Sequence, residues 1–144
     1  MKVLSVCQPW AWLLVNGYKD VENRSWRTSH RGPLLIHSGA AVSGLWRKNP
    51  HAQPGILTTV FKRLRAAGIR PPKIPPALET GGIVGRVELL DCVTTSDLHF
   101  LAHAGVDSPW FFGPVGWLVG GGTPLPFVPL KGKLHVFEFP GGET

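Results

Sequence analysis

The sequence predicts an α+β fold, a small β-barrel or strongly curved sheet of about six short strands decorated by three or four helices. Three observations carry that reading. Short apolar, partly β-branched runs recur from Met1–Val6 to Lys133–Phe139, separated by glycine and proline turns. Helical patterns interrupt them at irregular intervals, which argues against a repeating βαβ unit. At 144 residues and 43% hydrophobic content, the chain reads as one domain over residues 1–144 with enough apolar mass for a sizeable core.

Met1–Val6 is the first strand. Pro9 suits the first position of a helix that runs to about Val15, and Asn16-Gly17 supplies a left-handed stop. Trp10, Leu13 and Leu14 share one face of this helix, so most of it should be buried. Tyr18–Trp26 reads as the second strand, with Asp20, Glu22 and Arg24 on one side and Val21 on the other. Pro33–His37 is a third strand, ending at Ser38-Gly39-Ala40, where small side chains let a ligand approach the main chain. Val42–Lys48 is a short helix candidate. Ile56–Ala67 is a clearer amphipathic one, with Leu57, Val60, Phe61 and Leu64 inward and Lys62, Arg63 and Arg65 outward. The proline-rich stretch Arg70–Pro76 is an extended connector. Ile83–Val93 is the longest strand candidate, and Thr94 or Thr95 caps a helix over Ser96–Ala104, with Asp97 in its first turn. Gly113-Pro114 forces a turn, Gly116–Val119 is a strand, and Lys133–Phe139 closes the sheet.

Composition excludes several classes. Mean hydropathy of +0.07 fits an ordinary globular protein and not a disordered chain. Ala11–Val15 is too short to span a bilayer and MKVLSVCQPW lacks an export signal, so no membrane association is expected and the cytoplasm is the default location. Cys7 and Cys92 fall in different strands and read as buried free thiols. His99 and His103 lie four apart on a predicted helix, but no glutamate joins them and no third ligand presents itself, so neither a metal nor another cofactor is expected.

Charge is more telling. The net charge is +6, and no acidic residue occurs between Glu22 and Glu79, a span rich in arginine and lysine. A polyanion-binding face looks like this in sequence, which suggests RNA or single-stranded nucleic acid as partner. A solvated basic surface kept for solubility is the plainer alternative.

The basic span begins inside the most unusual stretch, Gln8–Ser38. Lys19, Glu22 and Arg24 follow the apolar helix directly, flanked by Trp10 and Trp26. Charges wedged between apolar elements are costly unless paired or used, and a binding or catalytic cleft is the evident use. Trp110, Phe111, Phe112 and Trp117 surround the Gly113-Pro114 turn and would form the opposite wall.

Gly17, Lys19, Glu22 and Arg24 reproduce the signature G-x-K-x-x-E-x-R, and LSVCQPWAWLLVNGYKDVENRSW, followed by RGPLLIHS, extends the match. The sequence thereby resembles the ASCH family, the activating signal cointegrator homology domains. The strand Val84–Cys92, the segment Trp110–Trp117 and the closing strand fall in the order such domains show. The resemblance implies a PUA-like barrel with the signature lining a cleft between barrel and helices. It also implies RNA or modified nucleosides as ligands; members are linked to coactivation, nucleic-acid binding, ribonuclease activity and, in one bacterial branch, deacylation of an acetylated cytidine nucleoside. In that branch a threonine stands where this chain has Glu22. A glutamate cannot act as a hydroxyl nucleophile, which places amidohydrolase chemistry below phosphodiester or simple binding chemistry.

Lys19, Glu22 and Arg24 are the candidate catalytic residues. Lys19 in a partly desolvated cleft is a candidate general base or acid, or a point charge on a phosphate. Glu22 is suited to a base edge or ribose hydroxyl and Arg24 to bidentate phosphate binding; an internal bridge among the three is the structural alternative. A ribonuclease would draw on Lys19, Arg24 and either His30 or His37, although His37 reads equally well as a satisfied core histidine. Trp10, Trp26, Arg27, Arg31, His37, Ser38 and Trp117 are the candidate nucleic-acid contacts, with Trp26 and Trp117 favoured for stacking on bases. Two other functions stay open: hydrolysis or reading of an acylated nucleoside in a closed pocket, and docking of a protein partner through the aromatic Pro-Gly segment.

Overall fold

The computed structural model describes residues 1–42, 55–97 and 108–140. Six strands form one mixed sheet: β1 (Lys2–Gln8), β2 (Val21–Arg24), β3 (Gly32–Val42), β4 (Gly82–Thr94), β5 (Val115–Pro129) and β6 (Val136–Glu138), in the order β2-β5-β4-β3-β1-β6. Only the β1–β3 pair is parallel. Among the described residues two α-helices join them, α1 (Trp10–Val15) and α2 (Gly55–Ala66). The predicted α+β class and strand number hold. Val42, the first residue of the helix candidate at 42–48, ends β3; the rest of that candidate and the body of the one at 96–104 lie outside the described residues, as do His99 and His103. The start of the latter is described: Asp97 accepts hydrogen bonds from the Thr94 amide and hydroxyl, a reaching-back cap that holds its carboxyl below the ordinary value of 3.8.

Several elements differ from expectation. β3 continues past His37 to Val42, and β2 and β6 are shorter than the expected Tyr18–Trp26 and Lys133–Phe139. Pro9 precedes α1 instead of opening it, and the Gln8 side chain does the capping by accepting the Trp12 amide at 2.9 Å. β5 runs far beyond Val119, through GGGTPLPFVP. Glycines and prolines hid this stretch because they read as strand breakers. β2 pairs with β5 only up to Leu118, so the rest of β5 is an edge, where proline is tolerated. Gly122 is needed there: a Cβ would lie 2.3 Å from the Leu14 carbonyl oxygen at the end of α1.

The main core gathers Leu4, Val6, Leu14, Leu34, Ile36, Val87, Leu89 and Trp117 from the four central strands and α1. A second core lies under α2, where Leu57, Val60, Phe61 and Leu64 face inward on Leu13, Val21 and Trp110 as the helical spacing predicts. Full burial of each aliphatic side chain stabilises by about 1.5–3 kcal/mol. Bulges in β3 and β4 bend the sheet, and its two edges come to face one another. β6 pairs only with Lys2–Leu4, leaving the next carbonyl, Ser5, to accept a hydrogen bond at 2.8 Å from Arg24 at the end of β2. Just beyond, the Trp26 ring packs edge-on between Trp117 and His135, at 4.8 and 4.9 Å. Side chains, not a backbone ladder, bridge the seam of this barrel-like sheet.

Candidate functional site

The signature residues meet at that seam. α1 ends in a Schellman turn: Gly17, at φ 79°, donates to Leu14 and Tyr18 donates to Leu13. The Lys19 amide also binds the Leu13 carbonyl, so the helix end fixes where Lys19 leaves the turn. Three residues later Glu22 enters β2, and its carboxylate is shared. Lys19 Nζ donates to Oε1 at 2.6 Å, and Arg24 donates through Nε to Oε2 at 3.0 Å. Lys19 and Glu22 are buried, at 4% and 10% side-chain exposure, and Arg24 is half-buried. Two cations on one carboxylate leave a net charge of +1, and every buried side-chain polar atom among the described residues has a partner.

Two cavities flank this relay. The smaller, about 150 Å³, is lined by Lys19, Glu22, Asn23, Trp10 and Trp110, with Lys19 Nζ 5.7 Å from the Trp10 ring centroid. Asn23 shapes it. Its amide donates to the Trp110 carbonyl, and its oxygen accepts from the Phe112 and Gly113 amides, pinning the Trp110–Gly113 loop to β2. The larger cavity, about 530 Å³, opens along the seam between Arg24, Ser5 and His37 on one side and the Lys131–His135 loop on the other. Lys131 and Lys133 make no ion pair among the described residues. His37 sets this loop. Its Nε2 donates to the Leu130 carbonyl, and Nδ1 is hydrogen-bonded to the Ser5 hydroxyl at 2.9 Å. Gly132 packs on the ring edge, where a Cβ would come within 2.8 Å of His37 Cε1.

The structure brings Lys19, Glu22 and Arg24 together, with Trp10 at the small cavity and His37 beside Arg24 at the seam cavity; Trp26 lines neither cavity, and the remaining candidates stand elsewhere. Trp117 is fully buried and donates to the Trp26 carbonyl, so it offers no face to a base. Ser38 is also fully buried, bonded to the Glu79 carbonyl, and both His37 ring nitrogens are engaged internally. Arg27 and Arg31 point elsewhere: Arg27 binds the Cys92 carbonyl and lies 3.9 Å from Asp97, while Arg31 pairs with Asp91. The acid-free span is therefore partly neutralised by carboxylates from later in the chain, a long-range pairing that linear charge counting does not see. Of the aromatic wall, Trp110 lines the small cavity but Trp117 belongs to the core. Sequence reasoning missed Lys131 and Lys133: Lys133 falls at the start of the expected closing strand and Lys131 just before it, and the basic, glycine-split pattern of Lys131-Gly132-Lys133 is the available signal.

The cysteines differ from one another. Cys92 is buried, whereas Cys7, expected to be, is exposed. Partial desolvation of its sulphur, followed by the Glu22 carboxylate, raises the Cys7 thiol pKa above its ordinary 9.0, against the pull of its own backbone amide, Arg24 and Lys19. Among the described residues, no cluster of three or more His, Cys, Asp or Glu side chains could hold a metal ion, and no helix is long and apolar enough to cross a membrane.

An open-edged mixed sheet with the G-x-K-x-x-E-x-R residues at its seam defines a PUA-like α+β domain. The ASCH domain model matches residues 4–111, and the chain belongs to that family. It is 41% identical over 92 residues to the human and mouse proteins called activating signal cointegrator 1, an alignment covering 63% of this chain and 14% of each relative. The chain thus spans a small part of the length of these relatives. A crystal structure of a serine-to-alanine mutant of ZmASCH from Zymomonas mobilis shares the fold, with a TM-score of 0.52 at 11% identity, covering 96% of this chain and 87% of that one.

Proposed function

We propose that this chain binds RNA or single-stranded nucleic acid at the seam cavity, with Arg24, Lys131 and Lys133 as its phosphate-handling groups. The observation that carries the reading is the charge at this cavity. Its lysines face no carboxylate among its lining residues, and Glu22, behind Arg24, is already saturated by two cations. An electropositive concavity at which the acids are spent attracts phosphate. Binding is favoured over cleavage. A ribonuclease needs a group to take the 2′-hydroxyl proton and another to give one back. Lys19 is held by Glu22, and His37 is bonded at both nitrogens.

The test is a titration of fluorescein-labelled single-stranded RNA against salt. The relay's single net charge and two lysines correspond to about three phosphates, hence a log–log slope near −2 and a loss of about 20-fold in affinity between 50 and 200 mM salt. Absence of binding at low salt removes the proposal. The same RNA incubated with wild type and Lys19→Ala tests for cleavage; a wild-type nuclease activity abolished by that change would establish a catalytic Lys19.

A second reading is favoured by the 150 Å³ cavity. A small space walled by Trp10 and Trp110, with the Lys19–Glu22 pair at its edge, suits a single base better than a strand. A modified-nucleoside reader would bind free nucleosides measurably in calorimetry and lose them with Trp10→Ala; indifference to a panel of acylated nucleosides argues against it.

A further inference from the structure

Leu134 stands out on the seam loop. It is 86% exposed, the most exposed of the large hydrophobic residues among those described, and it sits at the rim of the 530 Å³ cavity between Lys133 and His135. His135 follows with φ 59°, a left-handed conformation uncommon for a side-chain-bearing residue. Trp26 packs against its ring and the His37–Leu130 hydrogen bond fixes the start of the loop. The tip is thus an apolar side chain on a braced loop, lining with Arg24, Lys131 and Lys133 a cavity whose volume is in the range of small-ligand sites.

An exposed leucine brings no benefit to a merely electrostatic contact. On nucleic acid it has a specific use: apolar side chains inserted between bases unstack them, and the displaced nucleotide then needs somewhere to go. We infer that Leu134 is an unstacking wedge, and that the seam cavity receives one nucleotide displaced from its strand, its phosphate held by Arg24, Lys131 and Lys133. This inference rests on the binding function proposed above and narrows its ligand to a strand that yields a single unstacked nucleotide.

The test uses a short adenine-rich single-stranded RNA carrying one 2-aminopurine, whose fluorescence is quenched by stacking, with anisotropy of an end label reporting binding independently. At protein concentrations that saturate the anisotropy, the wild-type complex should brighten several-fold and the Leu134→Ser complex should stay dark. Leu134→Phe, which keeps an insertable side chain, should restore the signal. Lys131→Gln should need more protein for saturation yet reach wild-type brightness. A dark wild-type complex, a bright Leu134→Ser complex, or complete loss of RNA binding with Leu134→Ser would overturn the wedge while leaving the binding function in place. Absence of wild-type anisotropy change would remove both. Binding of phosphatidylserine vesicles that depends on Leu134, alongside a dark RNA complex, would assign the tip to lipid and reject the wedge.

Discussion

Glu22→Gln probes the relay most sharply. The carboxylate lies 2.6 Å from Lys19 Nζ and 3.0 Å from Arg24, and the Lys19 side chain is only 4% exposed. Removing its charge leaves a buried ammonium uncompensated, which costs about 3–5 kcal/mol where an exposed pair would cost less than about 1 kcal/mol. For a chain of this length that corresponds to a fall in Tm of roughly 10–20 °C. Urea unfolding at pH 7 gives the free-energy difference from the midpoint and slope. Combining Glu22→Gln with Lys19→Met removes the stranded cation, so the double variant should be more stable than the sum of the single losses by about 1 kcal/mol or more. A Glu22→Gln loss below about 1 kcal/mol, or strict additivity, would refute the buried relay.

Other outcomes follow from the same geometry. Lys131→Gln with Lys133→Gln should flatten the salt slope to about −0.7, leaving roughly a threefold loss in affinity between 50 and 200 mM salt. Asn23→Ala should leave the part-buried Gly113 amide without its partner and the exposed Phe112 amide to water, costing about 1 kcal/mol and accelerating hydrogen exchange at both. Cys7 is exposed, yet its raised pKa keeps the thiol protonated at pH 8, so iodoacetamide should modify it more slowly than a free cysteine, with a pH–rate midpoint above 9.0. Because the folded state holds that proton more tightly than the unfolded one, the Cys7 contribution to stability should fall as pH rises past 9.0.

Local pattern explains what the sequence revealed. The inward face of α2, the stop at Gly17 and the order of strands follow from periodicity and turn chemistry, which act over a few residues. Lys19, Glu22 and Arg24 were legible because they are close in sequence and belong to one short turn-and-strand segment. Ser5, Lys131 and Lys133 join them only through the curl of the sheet, from elements distant in the chain, and no local signal marks that meeting. The burial of Trp117 was equally hidden. An aromatic beside a glycine-proline turn reads the same whether it faces a ligand or the core. β5 escaped because its edge position, which makes its prolines acceptable, is a property of the sheet and not of the strand.

The proposed function places nucleic acid at the seam and not on the basic outer face of α2, where Lys62, Arg63 and Arg65 are exposed. Amide chemical shifts of the isotopically labelled protein, followed on addition of a short single-stranded RNA at low salt, test it most directly. The seam account predicts the largest changes at Ser5, Arg24 and Lys131–His135; changes concentrated on α2, with that loop undisturbed, would contradict it.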